Sequence, residues 1–104
     1  MYKIKKGAIQ YLKDNGFQEK YDGSWVLRFP VYFYKKTPVI FCVATIWLET
    51  SKEIQLDVMN SNGVSFFLWY QRDEFPYGAT IVGEIDKNIA NKMHKIGARH
   101  YADR

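Results

Sequence analysis

The sequence predicts a single α+β domain over residues 1–104: a four-stranded antiparallel meander flanked by an N-terminal and a C-terminal helix. Apolar and polar residues alternate in the middle of the chain, which indicates strands, and apolar residues recur at helical spacing near both ends. Turn residues separate the strand segments, as a meander requires. With 104 residues, 47% of them hydrophobic, the chain has material for one core.

The N-terminal helix is predicted over Lys3–Asn15. Its apolar stripe at helical spacing consists of Ile4, Ala8, Tyr11 and Leu12. Asn15-Gly16 supplies the left-handed residue that commonly ends a helix. A short strand is expected within Phe17–Tyr21, before the turn signal Asp22-Gly23.

The first long strand, Trp25–Phe33, alternates strictly between two sets of side chains. Pro30 cannot donate a ladder hydrogen bond, so we expect this strand at or near a sheet edge. A two-residue loop at Lys36-Thr37 leads into Val39–Glu49. That segment is apolar on both faces, which predicts a central strand.

Two further strands complete the predicted meander. A three-residue loop at 51–53 precedes Ile54–Asn60. Asn62-Gly63 is a strong hairpin signal that leads into Val64–Gln71.

The loop lengths predict the register of the strands, and register decides which side chains share a face. Phe33 is expected opposite Ile40. Val58 is expected between Ile46 and Phe67. One face then gathers the predicted core, which consists of Trp25, Leu27, Phe29, Val31, Phe33, Ile40, Cys42, Ala44, Ile46, Leu48, Ile54, Leu56, Val58, Phe67 and Trp69.

The C-terminal part is predicted to contain a short strand, Ala79–Val82, and then a helix that Gly97 ends. The apolar stripe of that helix consists of Ile85, Ile89, Met93 and Ile96. Glu84 and Asp86 are expected at its start, as the helix dipole favours. The basic residues expected at its end are Lys92, Lys95 and Arg99.

The opposite side of the sheet, the predicted aromatic face, has no helix left to cover it. A large exposed apolar patch usually marks an interaction surface, and Tyr, Trp, Met and Arg are enriched in interface cores. The residues predicted to bind a partner are Arg28, Tyr32, Tyr34, Phe41, Trp47, Asp57, Met59, Phe66, Leu68 and Tyr70. The alternative is a curled sheet, or one helix on each face, which makes these side chains ordinary core.

The sequence contains no Gly-rich phosphate loop, no Cys/His metal spacing and no nucleophile elbow. His94 and His100 have no third metal ligand beside them. Asp57 is expected next to Trp47 and Leu68, where a carboxylate could act as a general acid, but it has no base partner. A salt bridge to Arg28 or a solvated position is the simpler interpretation, so we expect neither enzymatic activity nor a cofactor or metal.

We expect a reduced cytoplasmic setting, because the sequence shows neither a signal peptide nor a membrane span. The net charge of +4 lies mainly in the two ends of the chain, where a solvated helix face explains it. The single cysteine, Cys42, excludes an intramolecular disulfide and is expected to be a buried apolar residue. No signal peptide is evident, and the longest apolar stretch, Val39–Leu48, is too short for the ~20 residues of a membrane span.

These patterns predict three possible functions. The leading one is binding to a protein partner, or to a second copy of the chain, through the predicted aromatic face. The chain would then be a small non-enzymatic regulator, inhibitor or accessory subunit. The second function is binding of single-stranded nucleic acid, with bases stacked on aromatic side chains and phosphates held by Arg28, Lys35 and Lys36. The stacking residues would be Tyr32, Tyr34, Phe41 and Trp47. The third is a small-ligand pocket between sheet and helix.

Overall fold

The structure, a computed structural model, describes residues 2–4, 9–48, 53–63 and 78–100 of the chain. Its elements in chain order are β1 (Tyr2–Lys3), α1 (Ile9–Asp14), β2 (Gln18–Glu19), β3 (Trp25–Tyr34), β4 (Thr37–Ile46), β5 (Glu53–Asn60), α2 (Gly78–Lys95) and β6 (Arg99–His100).

The six strands form one antiparallel sheet in the order β2-β3-β4-β5-β1-β6. The consecutive strands β3, β4 and β5 are the described part of the predicted meander, and β4 is central as expected. The predicted fourth strand, Val64–Gln71, lies outside the described residues, so its predicted pairing with β5 is not described either. The sheet is larger than the predicted meander because three two-residue strands extend it on both sides.

Both described helices pack on the same face of the sheet. Leu12 of α1 is fully buried, and α2 buries one side chain per turn, as its helical spacing predicts. These residues form one core cluster with the inward side chains of the long strands. The strand members of that cluster are Trp25, Leu27, Phe29, Val31, Ile40, Cys42, Ala44, Ile46, Ile54 and Val58, and the α2 members are Ile85, Ile89 and Met93, with Ile96 directly after the helix.

Three members of the predicted core are less buried than expected. Phe33 is 45% exposed, because it lies near the hairpin end of β3 and lines an open cleft beside α2. Leu48 and Leu56 are only partly buried and pack against the edge of the core. Phe67 and Trp69 lie outside the described residues.

The N-terminal helix is shorter than predicted, because Lys3 belongs to a strand. β1 pairs with β5 through Tyr2 opposite Ile54 and Lys3 opposite Glu53. Helix α1 then runs over Ile9–Asp14 and ends where predicted, with Gly16 at a φ of 88°. A two-residue strand whose partners are distant in sequence leaves no local pattern, so the helical spacing of Ile4 was misleading.

The C-terminal helix begins earlier than predicted, since Ala79–Val82 is helical and not a strand. Threonine, isoleucine and valine favour strands, but tertiary packing overrides so weak a preference. Glu84 and Asp86 therefore lie well inside α2, away from its N-terminus. The last turn is basic as expected, but Arg99 lies in β6.

The β3–β4 turn comes one residue earlier than predicted, at Lys35-Lys36, with φ values of 50° and 68°. Thr37 is unsuited to such a left-handed turn, since it is β-branched and precedes a proline. Phe33 consequently lies opposite Pro38, a shift of two residues from its predicted partner.

The β4–β5 register differs by four residues, with Ile46 opposite Ile54 in place of Val58. β4 ends at Ile46 and β5 begins at Glu53, so the connection is longer than the predicted three residues. After β5, the Gly63 amide donates to the Asn60 carbonyl at 3.0 Å, so the central turn residues precede Gly63.

A β-bulge interrupts the β3–β4 pairing. Pro30 pairs with Phe41 and Tyr32 pairs with Ile40, which leaves Val31 without a partner in the ladder. Because Ile40 is a core residue, the bulge moves Tyr32 toward the core, and Tyr32 packs against the core cluster.

The bulge also provides a hydrogen-bond acceptor for a side chain of helix α2. The Val31 carbonyl accepts a hydrogen bond of 2.7 Å from Nδ2 of Asn88 in α2. This bond joins a helix to a strand far away in the sequence and satisfies a backbone group beside the bulge.

We predict that Lys36→Gly stabilises the protein by about 0.5–1 kcal/mol, because glycine adopts a positive φ without steric cost. The measurement is urea unfolding followed by tryptophan fluorescence. Lys20→Gly is the control, at an exposed position without a positive φ, and is expected to lower stability slightly. A loss of stability in Lys36→Gly equal to that of the control would contradict the turn geometry.

A second prediction concerns Tyr11, whose hydroxyl is buried without a hydrogen-bond partner in the described structure. Burial raises the pKa of this phenol. Tyr11→Phe removes an unsatisfied polar group and is expected to leave stability unchanged or raise it by up to about 1 kcal/mol in urea unfolding. Tyr34→Phe, at an exposed position, should change it by less than about 0.5 kcal/mol. A clear loss in Tyr11→Phe would mean that the hydroxyl has a partner.

Candidate binding face

The side of the sheet opposite the helices carries three rows of side chains, which together form the outer face. Its members are Val26, Arg28 and Pro30 from β3, Phe41, Val43 and Thr45 from β4, and Gln55, Asp57 and Met59 from β5. They lie on this side because each alternates with a buried residue of the same strand. No described helix or strand covers them.

The first row of the outer face is apolar. Phe41 lies between Pro30 and Met59 in the strand register. The guanidinium carbon of Arg28 lies 3.8 Å from the centroid of the Phe41 ring. At this distance the cation and the ring attract each other, and the ring is shielded from water on that side.

The second row carries two opposite charges. Arg28 and Asp57 are the register neighbours of Val43 on either side, so one strand separates them. The strand spacing places their backbones roughly 10 Å apart. Both side chains are exposed. Asp57 lies opposite Val43 and not opposite Trp47 as expected, and its other expected neighbour, Leu68, lies outside the described residues.

The third row is more polar and includes a residue of the edge strand. Thr45 lies between Val26 and Gln55, and Gln18 of β2 continues the row beyond Val26. Apolar character is therefore concentrated toward the Phe41 end of the outer face.

A shallow depression of about 300 Å³ lies on the β2–β3 side of the outer face. Its lining includes Lys20, Val26, Arg28 and Val43. Both charged groups there are basic, whereas Asp57 is the acidic member of the outer face and lies on the β5 side.

The structure brings together four of the ten predicted partner-binding residues: Arg28, Phe41, Asp57 and Met59 lie on the outer face. Tyr32 lies toward the core. Tyr34 is 59% exposed at the hairpin end, with Nζ of Lys35 5.5 Å from its ring centroid. The remaining predicted residues are Trp47, which is 37% exposed just after β4, and Phe66, Leu68 and Tyr70, which lie outside the described residues.

Sequence reasoning missed one cleft at the edge of the helix layer. It measures about 250 Å³ and lies between α2 and the hairpin end of β3. Phe33 lines it, and Nζ of Lys92 lies 5.9 Å from the ring centroid of Phe29. Only the long-range packing of α2 on β3 creates this cleft, so no local pattern indicates it.

A second cleft, of about 460 Å³, lies between α2 and the strands β5, β1 and β6. Leu56 and Val58 form part of its apolar wall, while Asp86 and His100 provide polar groups. The His100 ring contacts Tyr2 edge to face, with centroids 5.0 Å apart. This is where a small ligand between sheet and helix, the third of the predicted functions, would bind.

His94 and His100 lie in different elements, α2 and β6. Among the described residues, no three His, Cys, Asp or Glu side chains are grouped as a metal ion would need. Over the same part of the chain, neither helix combines the length and apolar character of a membrane-spanning segment.

Cys42 is fully buried in β4, on the core side, as the sequence predicted. Burial, and to a smaller extent the negative charge of Asp57, raises the pKa of its thiol to about 12. A thiol that stays protonated is a poor nucleophile, so Cys42 contributes to packing.

No protein-family model matches the sequence, and a search of curated proteins finds no match. Among solved structures, the chain is similar to the crystal structure of a DUF1831 family protein from Lactobacillus plantarum. The TM-score is 0.59 at 13% sequence identity, and the alignment covers 94% of this chain and 84% of that one. This likeness supports the small α+β fold with an antiparallel sheet and carries no function.

The Cys42 thiol predicts a stability effect at alkaline pH. The pKa is about 12 in the folded chain and 9.0 ordinarily, so the unfolded chain loses the thiol proton first as pH rises. The thiol's contribution to stability is therefore complete below pH 9 and declines between pH 9 and pH 12, by at most about 1.4 kcal/mol per pH unit. Cys42→Ala lacks this loss, so the advantage of the unmodified chain over the variant should shrink above pH 9 in urea unfolding. A constant difference across that range would contradict the burial of the thiol.

Proposed function

We propose that this chain is a small non-enzymatic binding protein, acting as a regulator, inhibitor or accessory subunit, that contacts a protein partner through the outer face. The observation that carries the proposal is the placement of both described helices on the opposite side of the sheet. The outer face then presents Phe41, Val43 and Met59 with no described element over them. A cytoplasmic setting is part of the proposal, and the free thiol of Cys42 is compatible with it.

The composition of the outer face supports a protein partner. Apolar side chains with a small number of charged residues beside them are typical of a protein interface. Arginine is frequent among the residues that dominate binding energy, and Arg28 already lies against an aromatic ring there. Docking would remove Phe41 and its neighbours from water, which is the main favourable contribution to association.

Single-stranded nucleic acid is less well supported than a protein partner. The aromatic residues expected to stack bases do not share one face, since Tyr32 lies toward the core and Tyr34 lies at the hairpin end. Phe41 does lie on the outer face, with the Arg28 guanidinium over its ring.

The accessibility of the outer face is tested by placing a charge at two adjacent positions of β4. Val43→Lys puts a charge on the outer face and should lower the free energy of unfolding by less than about 1.5 kcal/mol. Ala44→Lys puts the same charge into the core, at a residue with no exposed surface, and should prevent folding at room temperature. Urea unfolding and circular dichroism measure both effects. Equal damage from the two substitutions would mean that the outer face is covered, and the proposed function would fail.

Binding itself is tested on a purified partner identified by affinity capture with the full chain. Val43→Lys should weaken that binding by at least about tenfold, whereas Asn91→Lys, an exposed position on α2, should leave it unchanged. Equal effects of the two variants would place the binding site elsewhere.

Titration with single-stranded oligonucleotides at low and high salt tests the second function, which is nucleic-acid binding. Salt-sensitive binding that Val43→Lys abolishes would identify the partner as a nucleic acid and not a protein.

A further inference from the structure

We propose that the partner of the outer face is a second copy of this chain, packed face to face about a two-fold axis that runs along β4. This inference rests on the proposed function and specifies its partner. The evidence is the charge pattern of the central row, where Arg28 and Asp57 lie symmetrically on the two sides of Val43.

A two-fold axis along the strand direction, between the two sheets, exchanges the positions of β3 and β5 and leaves β4 over itself. Arg28 of each copy then lies over Asp57 of the other, and the two Val43 side chains meet on the axis. The interface is isologous, so a single charge pair in the sequence gives two reciprocal pairs in the dimer. Packed sheets are about 10 Å apart, a distance that an Arg and an Asp side chain span together.

The same pattern disfavours the other two-fold arrangement. An axis across the strands would place Arg28 over Arg28 and Asp57 over Asp57, and like charges in an interface are costly. The charge pattern therefore selects one packing orientation, with the strands of the two sheets nearly aligned. This is one of the two common geometries of packed sheets.

The flanking rows fit the selected orientation. Phe41 lies over Phe41 of the second copy, Thr45 lies over Thr45, and Pro30 meets Met59. Apolar groups thus face apolar groups in the first row. In the single chain the Arg28 guanidinium lies on the Phe41 ring, and on docking it exchanges this exposed contact for Asp57 of the second copy.

The size of the outer face sets the strength of the association. The three rows cover three strands and five residues along each strand, about 14 by 17 Å or roughly 240 Å². This is below the about 800 Å² per partner of a standard stable interface. The dimer is therefore reversible and dissociates on dilution.

Sedimentation equilibrium of the full chain over about 1 μM to 1 mM tests the dimer. The average mass should rise from monomer to dimer across this range.

Two charge reversals test the packing orientation. Arg28→Asp and Asp57→Arg should each weaken the dimer by at least about tenfold, because each substitution puts like charges opposite one another at two places in the dimer. The double variant restores opposite charges and should return to within about threefold of the unmodified chain. Lys87→Asp, an exposed position on α2 with the same change in charge, should have no effect.

The outcomes separate the dimer from the proposed function. A chain that stays monomeric at the highest concentration, with Val43→Lys folded and impaired in binding another protein, overturns the dimer and leaves the proposed function in place. A dimer that is insensitive to either single charge change, or that the double variant does not restore, overturns the packing orientation proposed. If Val43→Lys unfolds the chain as Ala44→Lys does, the dimer and the proposed function fail together.

Discussion

The alternation of side chains along β4 is the constraint on which the rest of the structure depends. β4 is hydrogen-bonded to β3 on one side and to β5 on the other, so its backbone is satisfied and only its faces remain to be covered. Every second residue from Ile40 to Ile46 is buried beneath α1 and α2. Because both described helices cover that face, Phe41 and Val43 lie on the other, and the interaction proposals follow from this asymmetry.

Much of the fold was predictable because the predicted strand registers were wrong by even numbers of residues. The β3–β4 register was wrong by two residues and the β4–β5 register by four, yet side chains on a strand alternate with a period of two, so the predicted faces survived. Cys42 and Val58 are buried as expected, although the predicted partner of Val58 was wrong. Amphipathic spacing likewise identified the buried side of α2, including Ile89, without identifying its first residue.

The missed features depend on contacts between distant parts of the chain. The register shifts on either side of Tyr32 in the β3–β4 ladder place Tyr32 toward the core, whereas strict alternation had assigned it to the outer surface. No local signal marks the bulge at Val31, because the Asn88 side chain that bonds there comes from the other half of the sequence. The two-residue strand beginning at Tyr2 was hidden for the same reason. Four predicted binding residues share the outer face because they lie in the regular parts of long strands.

The shortness of the outermost strands has a consequence for solution behaviour. An exposed strand edge is a template for further strands and hence for aggregation. Among the described strands, the outermost ones, β2 and β6, are two residues long and consist of exposed polar residues. The part of β3 that extends past β2 contains Pro30, which offers no amide hydrogen to an incoming strand. These short polar strands and Pro30 thus offer little template for sideways growth into fibres.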